Sequence, residues 1–166
     1  GKGDNVYVLN DELTIKQQFN GHDNQYNYPL SIDFDNKYIL IGYGGGMVHL
    51  HSRSNNDRKE VIINFKINLI VIQINNHEYS VRSVCLNQHY AVSGSYDDTV
   101  KVFDLKTMKT TQTLNHSDYV MCVSFGPANT WLANKLISCS LDQTLRIWNA
   151  ETGKKEDEFK HDNNCK

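Results

Sequence analysis

The sequence predicts an all-β fold assembled from repeated four-stranded antiparallel units. Three observations carry that prediction. The stretch SYDDTVKVFD at 95–104 is written again as SLDQTLRIWN at 140–149. Short runs rich in Val, Ile, Tyr, Phe and Thr alternate apolar and polar residues between turn signals, which is the periodicity of strands. A histidine in a polar turn recurs at His22, His77, His116 and His161. Self-similarity at a near-constant spacing is the mark of a repeat architecture.

The elements follow in order. NVYVLN at 5–10 matches TVKVFD at 99–104, and GGGMVHLHS at 44–52 stands where YDDTVKVFD stands at 96–104. The copies end at 10, 52, 104 and 149, intervals of 42, 52 and 45 residues. After each of the first three histidines comes an alternating segment (30–34, 81–86, 120–125), then a short apolar run ending in small residues (38–42, 89–95, 136–140). The aromatic position is followed by a polar turn and a last strand, as in 104–114 and 149–159. Each unit therefore reads as a meander of strands a, b, c and d. The chain divides into a half unit at 1–20 (strands c and d), units at 21–75, 76–114 and 115–160, and the start of a further repeat at 161–166.

The long interval owes its excess to 61–74, a run built mostly from Ile, Asn, Phe, Lys, Leu and Val. Two readings fit it: a lengthened outer strand or blade insertion, or a translated intron of an AT-rich gene, since most of these residues have codons of A and T alone. The run is too short and too polar to span a membrane, which takes roughly 20 predominantly apolar residues.

The 166 residues carry a formal net charge of −2, with 39% hydrophobic and 22% charged residues. That balance suits a folded domain and gives no electrostatic case for nucleic acid or a membrane surface as a partner. Cys85, Cys122, Cys139 and Cys165 show no CxxC spacing and are expected to be reduced thiols of an intracellular protein, cytoplasmic or nuclear. The chain opens on Gly1 without an initiator methionine, and is expected to begin inside a longer reading frame.

These units resemble the WD-repeat (WD40) family over residues 5–162. The fit is closest in His77…Ser93-Gly94-Ser95…Asp97…Phe103-Asp104 and His116…Ser138-Cys139-Ser140…Asp142…Trp148-Asn149. The resemblance implies a β-propeller of four-stranded blades, about three and a half of them here, whereas a propeller closes with roughly four to eight. The chain is accordingly expected to be part of a longer propeller. Within a blade of that family the histidine, the aspartate, a strand-b Ser or Thr and the strand-c Trp form a buried hydrogen-bonded set. The resemblance places His116, Ser138 or Ser140, Asp142 and Trp148 in one set, and His77, Ser93 or Ser95, and Asp97 in another. Phe103 has no N–H to donate, so the second set should be shorter. In the unit at 22–52, Gly44-Gly45-Gly46 replaces the turn aspartate and His51 the aromatic, and a full set is not expected.

The three glycines are followed by a strand rather than a helix N-terminus, so they make no phosphate cradle. His49 and His51 share a strand face, but no neighbouring Asp, Glu or Cys completes a metal site. Ser138, His116 and Asp142 match a hydrolytic triad by residue type only, without a nucleophile elbow or an oxyanion donor. No cofactor is expected and no enzymatic activity. Residues beside the structural motif, namely Arg82, Tyr96, Tyr119, Met121 and Leu141, should project from the face carrying the b–c and d–a loops. Members of that family commonly bind partners there, and Tyr, Arg and Met are enriched at interface cores. The expected function is a scaffold binding proteins or peptides. A substrate receptor of a ubiquitin ligase and an architectural subunit of a large complex are the alternatives. Phosphopeptide reading is disfavoured, because Arg82 stands alone and Met121 and Ser31 hold its matching places.

Overall fold

A computed structural model of the chain describes residues 5–9, 15–20, 28–52, 70–74, 76–127 and 129–161. The described residues form strands and turns, with no helix. Strands β1 (Asn5–Leu9) and β2 (Ile15–Asn20) pair as a two-stranded antiparallel sheet. Three four-stranded antiparallel sheets follow, each running in simple meander order. The first is β3 (Pro29–Phe34), β4 (Tyr38–Tyr43), β5 (Val48–Ser52) and β6 (Ile70–Ile74). The second is β7 (Val81–Leu86), β8 (Tyr90–Ser95), β9 (Thr99–Asp104) and β10 (Lys109–Asn115). The third is β11 (Val120–Phe125), β12 (Lys135–Ser140), β13 (Thr144–Asn149) and β14 (Lys155–Lys160). The fold is thus all-β, with the sheets as propeller blades.

Blade order explains strand composition. β4, the second strand of its blade, is buried at every position and reads YILIGY, the near-continuous apolar run of a strand covered on both faces, with Leu40 packed against the next blade. β14 is outermost, is exposed at every position and reads KEDEFK. β6 pairs with β5 from Val48↔Ile74 to Ser52↔Ile70, so the end of the run 61–74 supplies the outer strand of the first full blade. Residues 61–69 of that run lie outside the described residues, as do His22 and Cys165.

The apolar core lies between blades. Leu40, Val48, Leu50 and Ile74 of one blade meet Val81, Val84, Ala91 and Phe103 of the next. Val92, Val100, Val102 and Leu114 then meet Val120, Val123, Leu136 and Trp148. A single blade leaves such faces in water, which is why the unit is repeated. Close approach of the sheets needs a residue without a side chain. A Cβ on Gly42 would come within 2.6 Å of Val81 Cγ1, and one on Gly94 within 2.7 Å of Val120 Cγ1.

Polar contacts tie the inner strands together. Asp33 on β3 accepts from the Leu86 amide at 2.7 Å, and Ser83 on β7 accepts from the Val123 amide at 3.1 Å. On the face opposite the histidine loops, Asp35, Asn87, Asp104 and Asn149 each accept two backbone amides through one side-chain oxygen, closing the hairpins as Asx turns. The polar residue after each aromatic, Asp104 or Asn149, is therefore a turn former.

Candidate functional site

Two hydrogen-bonded networks support the face that carries the b–c turns and the d–a loops. In the third full blade, Trp148 Nε1 donates to Ser138 Oγ at 2.8 Å. Ser138 Oγ lies 2.7 Å from His116 Nε2, and His116 Nδ1 lies 2.9 Å from Asp142 Oδ2. One proton arrangement satisfies every contact: Ser138 donates to Nε2, and the neutral imidazole donates from Nδ1 to the carboxylate. Asp142 also accepts from the Ser117 amide and from the amide and hydroxyl of Thr144. Burial pushes the Asp142 carboxyl upward, but the bonds from Thr144, Ser117 and His116 outweigh it and hold the group well below the usual carboxylate range. Burial lowers the His116 proton affinity, against the pull of Asp142, in keeping with the neutral form.

The second full blade repeats this arrangement without the indole bond. His77 Nδ1 lies 2.8 Å from Asp97 Oδ2, and Nε2 lies 2.8 Å from Ser93 Oγ. Thr99 and the Glu78 amide fill the remaining positions of Asp97. Its carboxyl is likewise held low, with burial opposing and the bonds from His77 and Thr99 prevailing. Phe103 is buried at the position of Trp148 but offers no donor. Ser95 and Ser140 stand outside these chains. Each donates to a d–a loop carbonyl, Tyr79 or Asp118, and accepts the amide of Asp97 or Asp142.

The sequence pattern passed over two features of these networks. Thr99 and Thr144 each place a hydroxyl 2.6 Å from the network aspartate, two residues after it. The recurring histidines also act through their backbones. His77, His116 and His161 amides donate to the carbonyls of Gly46, Asp98 and Gln143 in the preceding blade, at 2.9, 2.8 and 3.0 Å. All three acceptors have positive φ, at 83°, 66° and 64°. The glycine-rich turn therefore takes the same left-handed conformation as the others, and a Cβ on Gly46 would lie 2.2 Å from the His77 carbonyl oxygen. The signal was present as three different residues at one repeat position.

Above the networks stand the side chains expected to project. Tyr96, on the b–c turn of one blade, and Tyr119, on the loop entering the next, stack with ring centroids 4.6 Å apart and planes 13° from parallel. Tyr119 is 44% exposed, and Tyr79 on the preceding entry loop 63%. Leu141 and Met121 are half-buried, and Arg82 is exposed. Strand pairing corrects one match: Arg82 and Met121 correspond to Leu30, not Ser31. Each is the extra residue of a bulge at the start of its blade's first strand, where the register shifts between Pro29 and Ser31, Val81 and Ser83, and Val120 and Cys122.

Other candidates separate from this face. The His49 and His51 rings are 6.1 Å apart and buried, and among the described residues no group of His, Cys, Asp and Glu could hold a metal ion. Ser138 is fully buried, and Trp148 and His116 engage its Oγ. Cys85 and Cys122 are free, but Cys139 is disulfide-bonded, which corrects the expectation of a reduced thiol there. On the opposite face, a cleft lined by Asp35, Lys37, His89, Tyr90, Asp104 and Glu151 carries mixed charge. Sequence reasoning missed Trp131, 71% exposed on the a–b loop of the third blade. Its signal was the length of that loop, 126–134, against 35–37 and 87–89 in the other blades.

Comparison with known proteins agrees with this architecture. The family model described as "WD domain, G-beta repeat" matches residues 69–104 and 108–149. The chain is 44% identical over 63 residues to mitogen-activated protein kinase kinase kinase A of Dictyostelium discoideum, covering 37% of this chain and 6% of that protein. It is 28% identical over 149 residues to the WD repeat-containing protein WDS homolog of Arabidopsis thaliana, covering 86% of this chain and 25% of the relative. A chain of the crystal structure of the mitotic checkpoint complex superposes with a TM-score of 0.72 at 21% identity, covering 96% of this chain and 45% of that one. The chain thus spans a quarter or less of these two curated relatives. Among the described residues no helix is long and apolar enough to cross a membrane.

Proposed function

We propose that this chain, which belongs to the WD-repeat family, is a binding scaffold for protein or peptide partners, which it engages through the face bearing its b–c turns and d–a loops, with no catalysis of its own. The observation that carries the reading is the Tyr96–Tyr119 stack. It joins loops of two blades, it is open to solvent at Tyr119, and it rests on networks whose polar groups are already satisfied. Rigid aromatic side chains bring contact area at little entropic cost, which suits an interface anchor. The same networks argue against hydrolysis. A serine that is fully buried and already bonded to an indole N–H and an imidazole cannot reach a substrate carbonyl.

Affinity capture with quantitative mass spectrometry tests this reading. Partners retained by the chain should be lost on Tyr119→Ala and Tyr96→Ala and kept on Trp131→Ala. Partners lost only on Trp131→Ala would move the site to the opposite face.

A further inference from the structure

The tyrosine platform lies among carboxylates. Asp97 and Asp98 follow Tyr96 directly, Asp118 precedes Tyr119, and Glu78 precedes Tyr79. Asp97 and Asp142 are filled by their networks. Asp98 and Asp118 are not. Asp98 Oδ1 is buried without a hydrogen-bond donor, and Asp118 Oδ1 accepts only the Tyr119 amide, at 2.7 Å. The Asp98 carboxyl is held above the ordinary range, by burial first and then by the charges of Asp118, Asp97 and Asp142.

The cations of this face do not neutralise the pair. Lys101 donates to the Asn76 carbonyl, and Arg146 to the Asn115 carbonyl while pairing with Asp142 and Glu158. Arg82 stands on the neighbouring inner strand, and Lys160 ends the outermost one. The surface at the junction of the two blades is thus aromatic and locally negative. An incoming cation would meet the π-face of an exposed tyrosine and relieve the repulsion between Asp98 and Asp118. An anionic or phosphorylated partner would meet uncompensated like charge.

We infer that the Tyr96–Tyr119 pair, with the carboxylates of Asp98 and Asp118 beside it, docks an arginine or lysine side chain carried on a segment of a partner protein. This rests on the reading that the loop-bearing face is the binding face, and it adds the chemistry of what binds.

Fluorescence anisotropy on the 166-residue chain, with labelled peptides of equal length built from alternating Ala-Arg, Ala-Gln or Ala-Glu, tests it. The Arg peptide should bind at least tenfold tighter than the Gln peptide, with the Glu peptide weakest and affinity falling as salt rises. Asp98→Asn with Asp118→Asn should reduce Arg-peptide affinity about tenfold, as should Tyr119→Ala. Both Asn substitutions conserve shape. Asn tolerates the left-handed backbone of residue 98 and can still accept the Tyr119 amide from residue 118, so thermal melting should stay near that of the parent. Equal binding of Arg and Gln peptides, or no saturable Arg-peptide binding, overturns the cation inference. If Tyr119→Ala still abolishes Gln-peptide binding, the face reading survives that result. Arg-peptide binding lost on Trp131→Ala and kept on Tyr119→Ala overturns both.

Discussion

The indole N–H of Trp148 donates to Ser138 Oγ across 2.8 Å, and Ser138 passes the chain on to His116 at 2.7 Å. In the preceding blade the Ser93–His77 contact is kept at 2.8 Å, with Phe103 where the indole would be. The two serines are therefore unequal. Ser138→Ala strands a buried indole N–H and a buried imidazole nitrogen, whereas Ser93→Ala strands an imidazole nitrogen with no indole beside it. Urea unfolding should show a loss of about 2–4 kcal/mol for Ser138→Ala and about 1–2 kcal/mol for Ser93→Ala. Equal losses would mean that the indole bond contributes nothing net.

Acid should act through the two network aspartates. Both carboxyls lie below their unfolded range, because the histidine, threonine and amide donors outweigh burial. A group whose folded pKa is depressed contributes stability that is complete above its unfolded value, about 4, and is lost as pH falls below it toward the folded value. Stability should hinge downward below about pH 4. Asp142→Asn should lower stability at neutral pH and make the acid limb shallower, as read by chemical unfolding at a series of pH values.

His51 gives a separate pH window. Burial, and secondly the charge of His49, lower its pKa from 6.5 to about 4. For a base, a depressed folded pKa means that the unfolded chain binds the proton first, so stability falls as pH drops from 6.5 toward 4. His51→Phe, which places at this position the side chain found at Phe103, should flatten the stability profile in that interval and leave the limb below pH 4 in place.

Much of this architecture could be read from the chain because a repeated blade repeats its chemistry. The alternating runs gave strands. The recurring His, Ser and Asp pointed to residues that the fold brings within hydrogen-bonding distance at His77, Ser93 and Asp97, and at His116, Ser138 and Asp142. Other features depend on geometry that residue types do not announce. Leu30, Arg82 and Met121 are bulge residues, and a bulge breaks the count of two on which register is judged. Gly46, Asp98 and Gln143 share one backbone conformation with three different side chains, so only the first signalled it. The stack of Tyr96 on Tyr119 crosses a blade boundary, and no spacing within a unit predicts it.

That boundary yields the last prediction. Gly94 lies on the second strand of one blade, facing Val120 and Val123 on the first strand of the next, and an added Cβ would lie 2.7 and 2.9 Å from their Cγ1 atoms. Both valines are buried in the shared core, so neither side chain can swing into solvent. Gly94→Ala must move one sheet away from the other or force a valine off its rotamer, which costs about 1–3 kcal/mol in a packed interior. Gly42 holds the matching place one blade earlier, with an added Cβ 2.6 Å from Val81 Cγ1 and 3.0 Å from Val84 Cγ1, and Gly42→Ala should cost a similar amount. Each substitution should loosen its own boundary first. Hydrogen exchange in Gly94→Ala should accelerate most in β8 and β11, and in Gly42→Ala in β4 and β7. Identical exchange maps for the two variants would show that the described blades open as one unit.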